Sequence, residues 1–267
     1  MTSTRTIPTA AAYDAAAAGY DVLTAGYAYE PWIGAIEELA LDHGLLGRRM
    51  LDVACGTGKS FLPFLARGYD VTACDASVEM ARLAREKAAG RVRVEVADIR
   101  HLPIYGAFDL VTCLGDVINH LASADDVRLA LTCMRQNLRE GGLLVFDVNG
   151  LAAYRDIPPV VEEHGRTVVV WRVEPAHMSE PGGRAQVLME TLTQQEHGSW
   201  ERATARWPHH HYPPAEIEQL LEDAQLDVVA VRGQGTGGVL LRETDEHVLP
   251  KLLFVCKPKG GAMTFRP

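Results

Sequence analysis

Apolar positions along the chain change their period several times, and each change marks an element. Met50-Leu51-Asp52-Val53 is a short apolar run that breaks into Ala54-Cys55-Gly56-Thr57-Gly58-Lys59-Ser60, after which Phe61, Leu62, Phe64 and Leu65 recur at helical spacing. This predicts a buried strand that turns into a helix through a glycine bend. Tyr69 to Asp75, Val92 to Ala97, Phe108 to Leu114 and Leu143 to Val148 are further runs of strand length. Between them Met80, Leu83 and Ala84 fall on one helical face behind a Ser77 cap, and a second helix is predicted from Asp125 to Leu138 with a glycine stop at Glu140-Gly141-Gly142. Strand alternating with helix predicts an α/β fold with a doubly wound, mostly parallel sheet. Val228 to Val231 and Leu252 to Cys256 would bring it to seven strands.

The alternation is interrupted after residue 150. Val168 to Val173, Val187 to Gln195 and Ala203 to Tyr212 read as extended, with a turn at Pro181 to Gly183. We therefore expect a small antiparallel β cap inserted after strand 5. Pro213-Pro214 then opens a helix with Ile217, Leu220 and Leu221 on one face. At the other end, residues 1 to 10 read as a loose tail, and Ala11 to Gly44 as one or two helices rich in alanine and aromatic residues. The expected organisation is an N-terminal helical lid (1–45), an α/β core that binds a nucleotide-like ligand (46–150), the cap (151–212) and the C-terminal part of the core sheet (213–260).

Composition narrows the function classes. At 267 residues and 47% hydrophobic, the chain can bury a sizeable core. A net charge of −9 opposes nucleic acid as a partner, and leaves a homo-oligomer open. Five cysteines, with no Cys-x-x-Cys pair, fit reduced thiols in a cytoplasmic setting. The first residues lack the apolar core of a signal peptide, and no uncharged run is long enough for a membrane span.

The candidate chemistry gathers at predicted strand ends, where open α/β sheets bind ligands. The bend is Gly-x-Gly, but Phe61 stands where a dinucleotide loop would carry its third glycine, and the loop lacks the P-loop spacing. Asp52 would repel a pyrophosphate; it can accept hydrogen bonds from the loop or, through water, from a cationic ligand. Asp75 closes the second strand, a position from which a carboxylate takes both hydroxyls of an adenosine ribose. Met80 reads either as an adenine neighbour or as core. Asp98, followed by the Ile99 N–H, can pair with an adenine edge or be an exposed loop acid. Asp116 and His120 follow the fourth strand, facing the reacting group, or else act as a loop cap and a core histidine. Tyr13 and Tyr20 read as lid or as helix packing, and Trp32 as core. In His209-His210-His211 at most His209 and His211 share a strand face, and no cysteine or glutamate stands at a ligand spacing, so no metal is assigned. One of these imidazoles can instead serve as a general base.

Leu51-Asp52-Val53-Ala54-Cys55-Gly56-Thr57-Gly58, Asp75-Ala76-Ser77 with Met80, Cys113-Leu114-Gly115 with His120-Leu121, and Gly141-Gly142-Leu143-Leu144-Val145 together resemble the class I S-adenosylmethionine-dependent methyltransferases, and among them glycine N-methyltransferase and related small-molecule enzymes. The resemblance is strong over about residues 50 to 150. It implies S-adenosyl-L-methionine as cofactor, S-adenosyl-L-homocysteine as product and a small-molecule methyl acceptor, N- or O-methylated. It also implies cofactor contacts at Ala54, Asp75, Asp98, Leu114 and His120, with Gly56 and Gly58 bending against the aminoacyl end and Tyr13 and Tyr20 covering the sulfonium. Ala76 and Ile99 adjoin these positions. Asp116 matches a substrate contact, and Asn149 stands where that family has an arginine for its substrate's carboxylate. Asp116, His210, His211 and Tyr20 are the candidate catalytic groups, and Asp116, Asn149 and His210 the candidate acceptor contacts. A nicotinamide-dependent oxidoreductase, or a methyltransferase-fold protein that binds the cofactor without transferring a methyl group, are the alternatives.

Overall fold

The computed structural model describes residues 9–155, 158–174 and 180–260. The tail read over residues 1 to 10 lies outside these except for Thr9 and Ala10, which already belong to the first helix, α1 (Thr9–Leu23). A second helix, α2 (Tyr29–Asp42), precedes the sheet.

The large sheet is built from β1 (Arg49–Val53), β2 (Asp70–Asp75), β3 (Arg93–Val96), β4 (Phe108–Cys113), β5 (Leu138–Asn149), β10 (Leu226–Gln234), β11 (Leu240–Leu241) and β12 (Lys251–Pro258). Their order is β11-β10-β12-β5-β4-β1-β2-β3. Strands β1 to β5 are mutually parallel, and β12 lies antiparallel between β5 and β10. The eighth strand beyond the predicted seven is the two-residue β11 at the edge.

Successive residues of the strands alternate between two cores. Leu51, Val111, Phe146 and Phe254 face α5 (Ala124–Gln136) and α6 (Pro214–Asp223), whose Val127, Leu131, Met134, Ile217 and Leu221 fill that side. Met50, Val71, Leu110 and Leu253 face α2, α3 (Phe61–Ala66) and α4 (Val78–Ala88). All six residues of β4 are buried, as a parallel strand covered on both faces requires.

The helix expected up to Leu138 ends at Gln136, and Glu140-Gly141-Gly142 lies inside β5 rather than stopping a helix. Gly141 has φ +73, the β4–β5 register shifts between Phe108 and Leu110, and a Cβ on Gly142 would come within 2.7 Å of the Phe108 carbonyl. The two glycines accommodate a bulge.

The cap sheet has four antiparallel strands, β6 (Val160–His164), β7 (Thr167–Glu174), β8 (Arg184–Gln194) and β9 (Trp200–His210). Periodicity missed β6, an acid-rich edge strand with mostly exposed side chains. Ala12 and Ala16 of α1 pack into the cap core with Val169, Val187, Met189 and Trp207. Thus α1 spans from the cap to the carboxyl ends of the parallel strands.

Candidate active site

A cavity of about 500 Å³ opens over the carboxyl ends of β1 to β4. Ala54, Asp75 with Ala76, Asp98 with Ile99, and Leu114 line it from the strands. Tyr13 and Tyr20 line it from α1, and His120 and Pro208 close the far side. The Asp75 carboxylate is held by two backbone donors, Gly56 N–H to Oδ2 and Ser77 N–H to Oδ1, both at 2.8 Å. Burial pushes its pKa up to about 6. These bonds orient the carboxylate along the cavity wall and leave lone pairs for a second set of donors, which suits a vicinal diol. Gly56 reaches φ +53 to offer that N–H, and Ala54, itself at φ 56, sits in the same bend. The strained backbone coincides with the cavity wall.

Helix α1 is fastened over this cavity by two acids. Asp14 accepts from Ser77 Oγ at 2.6 Å and from the Glu79 N–H at 3.1 Å. Asp21 accepts from Thr57 Oγ1 at 2.6 Å and pairs with Lys59 and Lys87 at 3.6 and 2.5 Å. Tyr13 Oη and His120 Nε2 lie 2.9 Å apart, joining the lid to the turn after β4.

Several residues read as cofactor contacts stand behind the wall. Asp52 is buried beneath the bend, accepting from Ser60 Oγ at 2.6 Å and Thr112 Oγ1 at 2.7 Å. Gly58 packs against the Phe61 ring, and Met80, in the first turn of α4, is buried. Gly56 acts through its N–H on Asp75. Asp98 keeps its place on the cavity but is engaged by Arg100 at 2.6 Å, which holds its carboxyl below the usual range.

A second cavity, about 450 Å³, lies between the large sheet and the cap and is lined by Asp116, Asn149, Tyr154, Trp171, His209, Gln234 and Lys251. Asp116, at φ 54 in the turn after β4, is the junction of the two spaces, because His120 lies close by on the wall of the first. Its Oδ1 accepts from Lys251 Nζ at 3.0 Å and its Oδ2 from Asn149 Nδ2 at 3.3 Å. The same ammonium reaches Asp147 Oδ2 at 2.7 Å, while Asp147 Oδ1 accepts from the N–H groups of Gly115 and Asp116 at 2.7 and 3.1 Å. Burial opposes charge on both Asp116 and Lys251, but their mutual attraction prevails, so the carboxyl pKa is lowered and the ammonium's is raised well above its ordinary value. Burial drives the pKa of His120 down, and that of His209 down to about 3, keeping both imidazoles neutral near pH 7.

Of the three consecutive histidines, His209 faces the cavity, with Nε2 3.4 Å from Asp116 Oδ2. His210, read as a catalytic and acceptor contact, points the other way, its Nδ1 against the Leu121 carbonyl at 2.6 Å. His211, read as a candidate base, turns at the end of β9 to Glu246, 2.6 Å away, and to the Gly182 N–H. Strand alternation separates His209 from His210, and the end of the strand separates it from His211. Asp116, His120 and His209 bring their ligand atoms within 4.8 Å of one another, a spacing a metal could use, but the positive charge against this carboxylate is Lys251. Sequence reasoning missed Lys251, Tyr154 and Gln234. A lysine opening an otherwise apolar last strand, Lys251-Leu252-Leu253-Phe254-Val255, is the available signal for the first.

Residues 50–142 match the methyltransferase domain family. The glycine/sarcosine N-methyltransferase of Parasynechococcus marenigrum is 39% identical over 114 residues, covering 41% of this chain and 40% of that enzyme. The chain spans about half the length of the curated relatives it matches. A solved S-adenosylmethionine-dependent methyltransferase from Clostridium acetobutylicum superposes with a TM-score of 0.76 at 21% identity, over 92% of this chain and 98% of that one. A sugar N-methyltransferase from Streptoalloteichus superposes with a TM-score of 0.74 at 20% identity, over 97% and 98%. At such identities the structural likeness speaks for the fold.

Proposed function

We propose that the chain is a class I S-adenosylmethionine-dependent methyltransferase, as the family match over residues 50–142 supports, and that it methylates the amine nitrogen of a small molecule held in the second cavity. The observation that carries this reading is the ionised Asp116 at the junction of the two cavities. Bound in the first cavity, the cofactor supplies a methyl group already activated on a sulfonium, so the chain's own task is to align an acceptor and exclude water.

Methylation moves positive charge onto the acceptor nitrogen. A carboxylate placed beside that nitrogen stabilises the charge as it develops, which a neutral ether product would not call on. Lys251 keeps Asp116 ionised while Asn149 orients its second oxygen. The neutral imidazoles are poor proton acceptors. With His209 at about 3, taking a proton from an alkylammonium near pKa 10, the ordinary amine value, would cost about 9.5 kcal/mol. The amine therefore enters as the free base, and His120 and His209 contribute orientation. Tyr13 and Tyr20 exclude water from the lid side.

The test is transfer of label from methyl-labelled S-adenosylmethionine to a panel of primary amines and matched alcohols, with Asp116→Asn alongside. We expect label on nitrogen, and a fall in kcat larger than the change in KM for the variant. Label on oxygen alone, or binding of S-adenosylhomocysteine with no transfer to any acceptor, refutes the proposal.

A further inference from the structure

The acceptor cavity contains buried polar atoms with no partner in the protein, and their chemistry describes what they await. Asn149 Oδ1 is one, Gln234 Oε1 another. Each amide has its other end committed. Asn149 Nδ2 donates to Asp116 Oδ2. A carboxylate only accepts, so the oxygen of Asn149 is the end left over. Gln234 has one end on Tyr27 Oη, with Nε2 donating at 2.7 Å, and its oxygen is the end without a partner. A buried acceptor without a donor is costly, so the complementary ligand carries donors at these two places.

Charge excludes a second class. The cation lining this cavity, Lys251, is shared between Asp116 and Asp147 at 3.0 and 2.7 Å, so the group of three carries a net negative charge. An acceptor carboxylate would face that charge and two amide oxygens. Trp171 and Tyr154 line the cap side of the same cavity and present an apolar flank. An aromatic wall opposite polar atoms suits a ring with one face of C–H groups.

We infer that the methyl acceptor is a hydroxylated cyclic amine of monosaccharide size without a carboxylate, its amine at Asp116 and its hydroxyls donating to Asn149 and Gln234. This rests on the N-methylation reading above and deepens it. It also separates the chain from enzymes that methylate amino acids, since Asn149 removes the cation that would hold a carboxylate and Lys251 does not replace it.

The experiment uses the full chain with labelled S-adenosylmethionine and four acceptor types. These are aminohexoses with the amine at carbon 2, 3 or 4, trans-2-aminocyclohexanol, cyclohexylamine and glycine. We expect kcat/KM for at least one aminohexose to exceed that for cyclohexylamine by about tenfold or more, because the analogue leaves the buried oxygens unpaired, with glycine lowest. Gln234→Leu and Asn149→Leu should compress that ratio towards one, and calorimetry with S-adenosylhomocysteine verifies that each variant is folded with its cofactor cavity intact. Equal use of cyclohexylamine, preference for glycine, or a ratio that survives both substitutions overturns the inference and leaves N-methylation standing. Label on oxygen alone overturns both. Failure of every aminohexose to accept label, or to raise the melting temperature of the S-adenosylhomocysteine complex, also overturns the inference.

Discussion

Replacing Lys251 with methionine tests the electrostatic centre of the molecule. Lys251 is 18% exposed, Asp147 0% and Asp116 23%, so the substitution leaves two carboxylates in the interior facing an apolar side chain. Removing one partner of a buried ion pair costs about 3–5 kcal/mol. Two features place this case at the lower end. Asp147 retains the N–H groups of Gly115 and Asp116, and Asp116 retains Asn149 and some solvent. The expected destabilisation is therefore about 3 kcal/mol, which for a chain of this size lowers Tm by roughly 6–12 °C. Chemical denaturation at pH 7.5 measures the first and calorimetry the second. Adding Asp147→Asn should recover more than half of the loss, because it removes the more deeply buried of the two stranded charges. A loss below about 1 kcal/mol, or a double variant no better than the single one, would mean that the three groups are effectively solvated and would refute the reasoning.

Three further outcomes are expected. Asp75→Asn should weaken S-adenosylhomocysteine by about 2–4 kcal/mol, two charge-assisted hydrogen bonds becoming neutral ones. Because the raised pKa of about 6 means that free Asp75 takes up its proton as pH falls through that value, wild-type affinity should drop between pH 7 and 5, whereas calorimetry of the Asn variant should show no such drop. With His209 held down to about 3 and His120 below its ordinary pKa, neither should set the profile between pH 7 and 9, so kcat/KM should climb with pH to the pKa of the acceptor amine. Comparing two amines of different pKa checks this, and an inflection fixed near 6.5 for both would contradict it. Finally, a Cβ at Gly19 of α1 would overlap the Thr191 side chain and come within 2.9 Å of Val169 Cγ2. Gly19→Ala should therefore destabilise by about 1–3 kcal/mol from overpacking, less about 1 kcal/mol of gained helix propensity, and Thr191→Ala in the same chain should relieve most of that when both are measured by urea denaturation.

What the sequence discloses and what it withholds divide along a physical line. The parallel core is legible because each βα unit is local: the apolar run, the bend and the acid at the strand end follow one another within a few residues, and Ala54, Asp75, Asp98 and Leu114 all reach the cavity that such units form. Tyr13 and Tyr20 were legible only as aromatic residues ahead of that core; their place on the cavity depends on Asp14 and Asp21 fastening α1 across it. Asp52 takes the first of the two places open to it in the sequence, accepting from Ser60 in the loop and from Thr112 beneath the bend. In the histidine run alternation narrows three imidazoles to two, and the point where β9 ends leaves His209 as the one on the second cavity. Lys251 lies beyond any such local rule. The positive charge that the resemblance places just past β5 is absent at Asn149, yet the antiparallel entry of β12 between β5 and β10 sets Lys251 directly opposite Asn149 in register. The ammonium thus returns to nearly the same place from a strand that begins about a hundred residues later. There it meets Asp116 and Asp147, whose combined charge exceeds its own, so a position that would grip a carboxylate in a local reading becomes, across the strand pair, one that repels it, as the acceptor proposed above requires.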